Sequence, residues 1–363
     1  MLEKGKISAA QIGKMMYLAV TPTAILSTPA ISFKFAGQDL WISPLLAFSG
    51  VLVILIALGF HRLYPGLNYV QISDRVLGPV IGKTVGLALL FYYMYTTGII
   101  IREYGDFVAG AFLPQTPLLV VTGSMVFLCA LAVRGGVEII ARFADVFIPV
   151  FSLLFLLLTV PLLPELKITN MLPIMGEGIA PSLSGSFILQ AWYSEFVLVS
   201  FFLPFAHNAD QAKKTAGFSL LAVVLTLVAS NLLTLLLLGN VTGNYTYPFL
   251  IVARYINLAE FFNHLESLFM VIWVVGAFVK ICIFFYVTVL GTAQWMQLSD
   301  YRPIVFPLGF LLILMSIWVA PNLQYLSYAL STTANLSALT AFLIIPALLL
   351  LLGVIRKRMG SKA

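Results

Sequence analysis

Glu195 stands in the middle of an apolar stretch, Gln190-Ala191-Trp192-Tyr193-Ser194-Glu195-Phe196, that runs on without charge to Pro204. A carboxylate in such a place costs a few kcal/mol on membrane-insertion scales, so it must pair, take up a proton or face water. Lys280 is its counterpart, with more than ten uncharged residues on either side. An isolated ammonium there seeks a carboxylate or loses its proton. Glu103 and Glu195 are the partners the sequence offers. Arg102 and Asp106, four residues apart, can pair on one helix face, and Glu103 lies about 100° further round. Arg102, Glu103, Asp106, Glu195 and Lys280 therefore form an expected buried-charge network. Its chemistry is that of an amine or carboxylate site, or of a proton store. Two readings stay open for Glu195: a structural hydrogen bond to broken helix ends, or contact with a ligand amine or a proton. Two stay open for Lys280 as well: a fixed ion pair, or an ammonium in the place of a coupling cation.

The elements that must position these groups follow from the rest of the composition. The chain has 363 residues, 61% hydrophobic and 9% charged. Soluble domains are about 25% charged, and disordered chains lack this much apolar surface. A polytopic membrane protein remains, with about 20 apolar residues needed per spanning helix. Apolar runs give ten spans, at about 9–33, 42–60, 83–112, 117–133, 138–163, 184–206, 214–239, 264–293, 303–320 and 333–355.

No nucleophile–base pair, glycine-rich phosphate loop or metal-ligand spacing is present: His61, His207 and His264 are isolated, and Cys129 and Cys282 read as inert core residues. An enzyme is not expected, and neither is a metal or a cofactor.

The net charge of +6 reflects orientation rather than a nucleic-acid surface. With the N-terminus inside, Lys4, Lys6, Lys14, Arg62, Arg75, Lys83, Arg134, Arg142, Lys213, Lys214, Arg302, Arg356, Lys357, Arg358 and Lys362 fall inside. Only Lys34, Lys167 and Arg254 fall outside. This bias sets the topology, with both termini cytoplasmic. Asp145 is expected to pair with Arg142 or Arg134. Gly82 and Gly86 form a G-x-x-x-G helix-contact signal.

Ten spans divide into two halves of five, about 8–163 and 184–355, within a single membrane domain. Pro29 and Pro204 end spans 1 and 6 at equivalent places. Five is odd, so the halves would be inverted, with the site at their interface where helices are broken. Span 1 carries Thr21-Pro22-Thr23-Ala24 and then Ser27-Thr28-Pro29. Both prolines lack an N–H, so a break near Thr21–Ala24 is expected to expose backbone groups to a ligand. Tyr95, Ile99 and Glu103 share a face of span 3. They are expected to line the pocket with Trp192, Glu195 and Lys280.

Several segments carry a resemblance. Ile7-Ser8-Ala9-Ala10-Gln11, Ala36-Gly37-Gln38-Asp39-Leu40-Trp41-Ile42-Ser43, Tyr64-Pro65, Leu77-Gly78, Arg134-Gly135-Gly136-Val137-Glu138 and the Glu195-to-Pro204 run stand out. Through them the chain resembles the B subunits of bacterial spore germinant receptors. That spore germination permease family lies within the amino acid–polyamine–organocation superfamily.

The resemblance implies an all-α, LeuT-like fold of ten transmembrane helices in a five-plus-five inverted repeat, with helices 1 and 6 broken. It implies the spore inner membrane, a complex with A and C subunits, and recognition of a small nutrient such as an amino acid. It places Pro22, Thr23, Ala24, Tyr95, Ile99, Glu195 and the stretch Val279, Lys280 and Ile281 at the pocket; Thr21 joins them from the expected break. One departure is visible: superfamily transporters usually carry glycines in the span 1 break, and Thr21–Ala24 holds none. A permease, or a water or ion conduit within the receptor, are the competing functions.

Overall fold

The computed structural model describes residues 3, 5–255 and 266–360. Lys4, His264, Lys362 and the expected start of span 8 lie outside them. The described chain is helical, and its one extended pairing is an isolated bridge between Ile7 and Ala206.

All ten expected spans have a helical counterpart. They are Ala9–Ala36, Ser49–Leu63 preceded by a short turn from Ser43, Pro79–Ala111, Leu118–Arg134, Val137–Thr159, Ala180–Phe205, Ala212–Leu238, Glu266–Trp295, Arg302–Trp318 and Thr333–Arg358. They are called spans 1 to 10 below. Leu118–Arg134, at 17 residues, sits at the short end of what crosses a bilayer. Beyond span 9 the chain turns by 91° into a second helix, Leu323–Ser331.

Burial sorts the spans into centre and ring. The most apolar windows of spans 1 and 6 are 89% and 94% enclosed by protein, against 17% for span 5. Spans 1 and 6 therefore form the axis and contact each other; span 1 also packs on spans 7 and 8, and span 6 on spans 2 and 10. Their outward neighbours expose Leu, Val and Phe side chains, as lipid contact requires.

Span 1 differs from expectation. It is one continuous helix through Pro22 and Pro29. Each proline removes one backbone hydrogen bond, yet its fixed φ near −65° is helical. Packing on all sides supplies the rest. Gly276 of span 8 leaves the space that the Pro22 ring fills, since a Cβ there would lie 2.5 Å from Pro22 Cγ. The hydroxyls of Thr23 and Ser27 turn outward to charged groups on other spans instead of repairing the backbone.

Span 6 does break. Its helix ends at Ser194, and Glu195–Leu198 form a 3₁₀ turn before helix resumes at Val199. Span 10 carries one π-helical turn, Thr340–Ile344, a local widening often found at functional sites.

The face carrying the N-terminus is tied together by the first residues of the chain. Glu3 Oε2 accepts from Tyr286, Tyr301 and the Val137 N–H at 3.1, 3.1 and 3.2 Å. Asp145 binds Lys14 at 2.7 Å and Gln11 at 2.7 Å, so its partner is neither Arg142 nor Arg134. Arg142 pairs with Glu138.

The G-x-x-x-G of span 3 receives the helix Tyr69–Leu77: a Cβ on Gly82 would lie 2.4 Å from Asp74 Cα and 2.5 Å from the Ser73 carbonyl oxygen. Backbone cannot yield as a flexible side chain does. Gly82→Ala is expected to cost about 1–3 kcal/mol by overpacking, read as a lowered Tm of the purified protein. Gly110→Ala, where a Cβ meets nothing within 4 Å, is the neutral control.

Candidate functional site

Lys280 projects from the middle of span 8 and is 1% exposed. Its ammonium donates to three acceptors: Thr23 Oγ1 at 2.8 Å, Glu195 Oε1 at 3.0 Å and Glu195 Oε2 at 2.9 Å. An ammonium has three protons, so its donor capacity is fully used. The 3₁₀ turn of span 6 brings Glu195 to this position, and Thr23 comes from the unbroken span 1 one residue after Pro22. Trp192 Nε1 donates to the same Thr23 oxygen at 3.2 Å. The Phe284 ring lies one turn along span 8, its centroid 5.6 Å from the ammonium.

Glu103, on span 3, accepts a short hydrogen bond from Ser27 of span 1. Burying three ionisable groups is costly unless each is hydrogen-bonded, and each is.

These groups surround a cavity of about 50 Å³, lined among others by Thr23, Ile99, Glu103, Trp192, Glu195 and Lys280. At about 10–15 Å³ per water, it has room for a few waters or a small polar group.

The sequence-expected residues separate into two sets. Thr23, Ile99, Glu103, Trp192, Glu195 and Lys280 line the cavity. Thr21, Pro22, Ala24, Tyr95 and Val279 do not. Thr21, Ala24 and Val279 are buried in the helix packing. Pro22 faces a separate apolar gap among spans 1, 5 and 8. Tyr95 packs with Ile99, Val319 and Leu326 beside the bend after span 9. The reason is the continuous span 1: without a break, one residue in three or four faces the cavity instead of the whole Thr21–Ala24 segment.

The expected five-charge network also divides. Arg102 Nε donates to Asp106 at 2.8 Å and its Nη1 to the Ala320 carbonyl at 2.6 Å. This pair belongs to the bend after span 9, and Glu103 faces the opposite way, toward span 1.

One wall was missed. Leu330, Ala334, Asn335, Ala338 and Phe342 bring span 10 and the bent helix to the cavity, and Tyr92 and Thr96 add to span 3. Only Asn335, a lone amide near the start of a charge-free run, carried a sequence signal. Tyr92 and Ser337 hydrogen-bond at 3.2 Å, joining spans 3 and 10 beside the cavity. Among the described residues, no three His, Cys, Asp or Glu side chains group as metal ligands would.

Comparison with known proteins places this architecture. Residues 6–324 match the family model described as spore germination protein. Spore germination protein KB of Bacillus subtilis (strain 168) is 25% identical over 375 aligned positions, covering 100% of this chain and 98% of that protein. Spore germination protein YndE of the same organism is 26% identical, covering 98% of both.

Among solved structures, a Na+-coupled sialic acid symporter in a substrate-bound outward-open state superposes with TM-score 0.64 at 12% identity, covering 93% of this chain and 78% of that one. MhsT in complex with L-phenylalanine superposes with TM-score 0.66 at 12% identity, covering 96% and 89%. The fold is LeuT-like, and family and fold resemble transporters and receptors rather than enzymes. With eight helices among the described residues long and apolar enough to cross a membrane, nine with the bent pair, the chain is a multi-pass membrane protein, and it belongs to the spore germination protein family.

Proposed function

We propose that this chain is the nutrient-sensing membrane subunit of a spore germinant receptor, and that a small nutrient such as an amino acid binds in the cavity among spans 1, 3, 6, 8 and 10. The observation that carries this reading is the meeting of one ammonium and two carboxylates around a cavity between the spans. Buried charge is expensive in a membrane protein and marks substrate or ion sites. The germination proteins to which the chain is related support the process, and L-phenylalanine in MhsT supports the ligand class.

The site would comprise Thr23, Ile99, Glu103, Trp192, Glu195 and Lys280. Loops this short hold no separate signalling domain, so output would pass to A and C subunits in the spore inner membrane. Both termini would lie on the core side, following the lysine and arginine bias. The two halves, about 8–163 and 184–355, would be inverted repeats.

The test is a germination dose–response in spores carrying this chain, with and without the substitutions argued in the Discussion. A second reading, a permease, draws on the symporter neighbour. Uptake of a labelled amino acid into proteoliposomes containing this chain alone would favour it over sensing.

Lys280 would stand where other transporters of this fold hold a coupling cation, its charge already balanced by Glu195. Ligand binding is therefore expected to be unchanged when sodium is replaced by N-methylglucamine. A dependence of Kd on sodium would overturn this assignment of Lys280.

A further inference from the structure

The hydrogen-bond inventory of the cavity is lopsided. Its charged donor is spent, with the three Lys280 protons on Thr23 and Glu195; among the neutral donors the Trp192 N–H is spent on Thr23 and one of the two Asn335 amide N–H groups on the Leu330 carbonyl at 2.9 Å. The Ser27 hydroxyl, just behind the lining, is spent on Glu103. The donors that remain are neutral: the Thr96 hydroxyl, the second Asn335 N–H and one proton of the Tyr92–Ser337 pair.

Backbone donors are committed. Span 1 is unbroken, so its N–H groups serve its own helix apart from the two prolines. At the span 6 break the Glu195 N–H bonds back to Trp192 and Tyr193 carbonyls. A ligand carboxylate entering this cavity meets neutral donors alone, with no free cation, and two carboxylates of its own sign.

Acceptors are in surplus. An ionised carboxylate has about four lone-pair sites. Glu195 uses one on each oxygen toward Lys280, and Glu103 uses one toward Ser27. With both carboxylates ionised, two negative charges face one positive charge, and one further cation balances the site. The two carboxylates together call for a compact donor with positive charge.

We infer that the cavity recognises the ammonium group of its ligand, through Glu103 and the unused lone pairs of Glu195, and offers a ligand carboxylate no cationic partner. This rests on the assignment of the cavity as the ligand site and narrows its ligand to primary amines, amino acids among them by virtue of their amine alone.

The test uses purified chain in lipid nanodiscs and four probes on related skeletons: ethylamine, alanine, N-acetylalanine and propionate. Binding is read by calorimetry and by Trp192 fluorescence, with Trp192→Phe as the control for signal origin. Ethylamine and alanine are expected to bind with Kd values within tenfold of each other, and N-acetylalanine and propionate not at all. Glu103→Gln is expected to weaken the two amines at least tenfold, with Tm retained because the amide still accepts from Ser27.

Binding of propionate or N-acetylalanine as tight as that of alanine overturns the inference. So does alanine binding without ethylamine binding, or binding of neither amine. Amine binding with no germination response instead counts against the sensing reading and leaves the amine selectivity established.

Discussion

Replacing Lys280 with methionine is expected to abolish the nutrient response and to cost the fold about 3–5 kcal/mol, the range for breaking a buried ion pair from one side. The cost comes from what remains. Glu195 is 7% exposed, and both its oxygens lose their donor at once. Methionine restores the apolar stem and its contact with Phe284, so packing is largely conserved.

Glu195→Gln is milder. Lys280 keeps Thr23 and the amide oxygen as acceptors and loses one of its three bonds. The double variant, Glu195→Gln with Lys280→Met, removes both charges. It is expected to recover most of the stability lost by Lys280→Met alone, because a neutral pair carries no burial penalty of that size. Function is not expected to return with stability, since the charge balance of the cavity is gone. Thermal unfolding of the four proteins in detergent gives the stability cycle, and germination dose–response gives the function. An unchanged dose–response in both single variants would sink the assignment of this pocket.

Charge scarcity made this part of the site readable in the sequence. In a chain with so few charges, Glu195 and Lys280 stood out because nothing near them in sequence could neutralise them, and Glu103 because its neighbour Arg102 can pair with Asp106 instead. The span positions were readable for the same reason, since apolar runs have only one way to satisfy their backbone in lipid.

Two features were not readable. The prolines of span 1 predict a break from local chemistry, whereas enclosure by neighbouring spans and the gap at Gly276 decide for continuity. Span 10 supplies a wall of the cavity through Ala334, Ala338 and Phe342, residues with no chemistry to distinguish them from lipid-facing neighbours. Which apolar side faces inward is a property of helix packing. The separation of Arg102 from Glu103 lies between these cases: adjacent residues point about 100° apart on a helix. That angle leaves both a joined and a divided network open, and the Ala320 carbonyl on the far side, which decides for division, is visible only in the structure.

Arg102→Met is expected to open the cavity toward the face opposite the termini. Span 9 ends at Trp318, and the chain turns 91° before Leu323–Ser331. Asn322 starts that helix by accepting from the Tyr325 N–H at 2.8 Å. Its far end brings Leu330 to the cavity wall, held by the Asn335 bond to its carbonyl.

The turn itself is fixed to span 3 by Arg102, which holds Asp106 with one nitrogen and the Ala320 carbonyl with another. Both charged side chains are about nine-tenths buried, so the substitution strands a carboxylate and a carbonyl together. Water entering to satisfy them must pass between the turn and span 3, where only Ile99, Val319, Leu326 and their neighbours remain to hold the helix down. Lysine is not an equivalent replacement, because its single nitrogen lacks the fork that reaches two acceptors in fixed geometry.

The measurement is labelling of an Ala334→Cys protein by a membrane-impermeant methanethiosulfonate. Native background is low, since Cys129 and Cys282 are fully buried. Arg102→Met is expected to raise the labelling rate at least tenfold, and Arg102→Lys by an intermediate amount. A rate unaltered by Arg102→Met would mean that the apolar cluster alone keeps the helix in place and that the arginine serves only to neutralise Asp106.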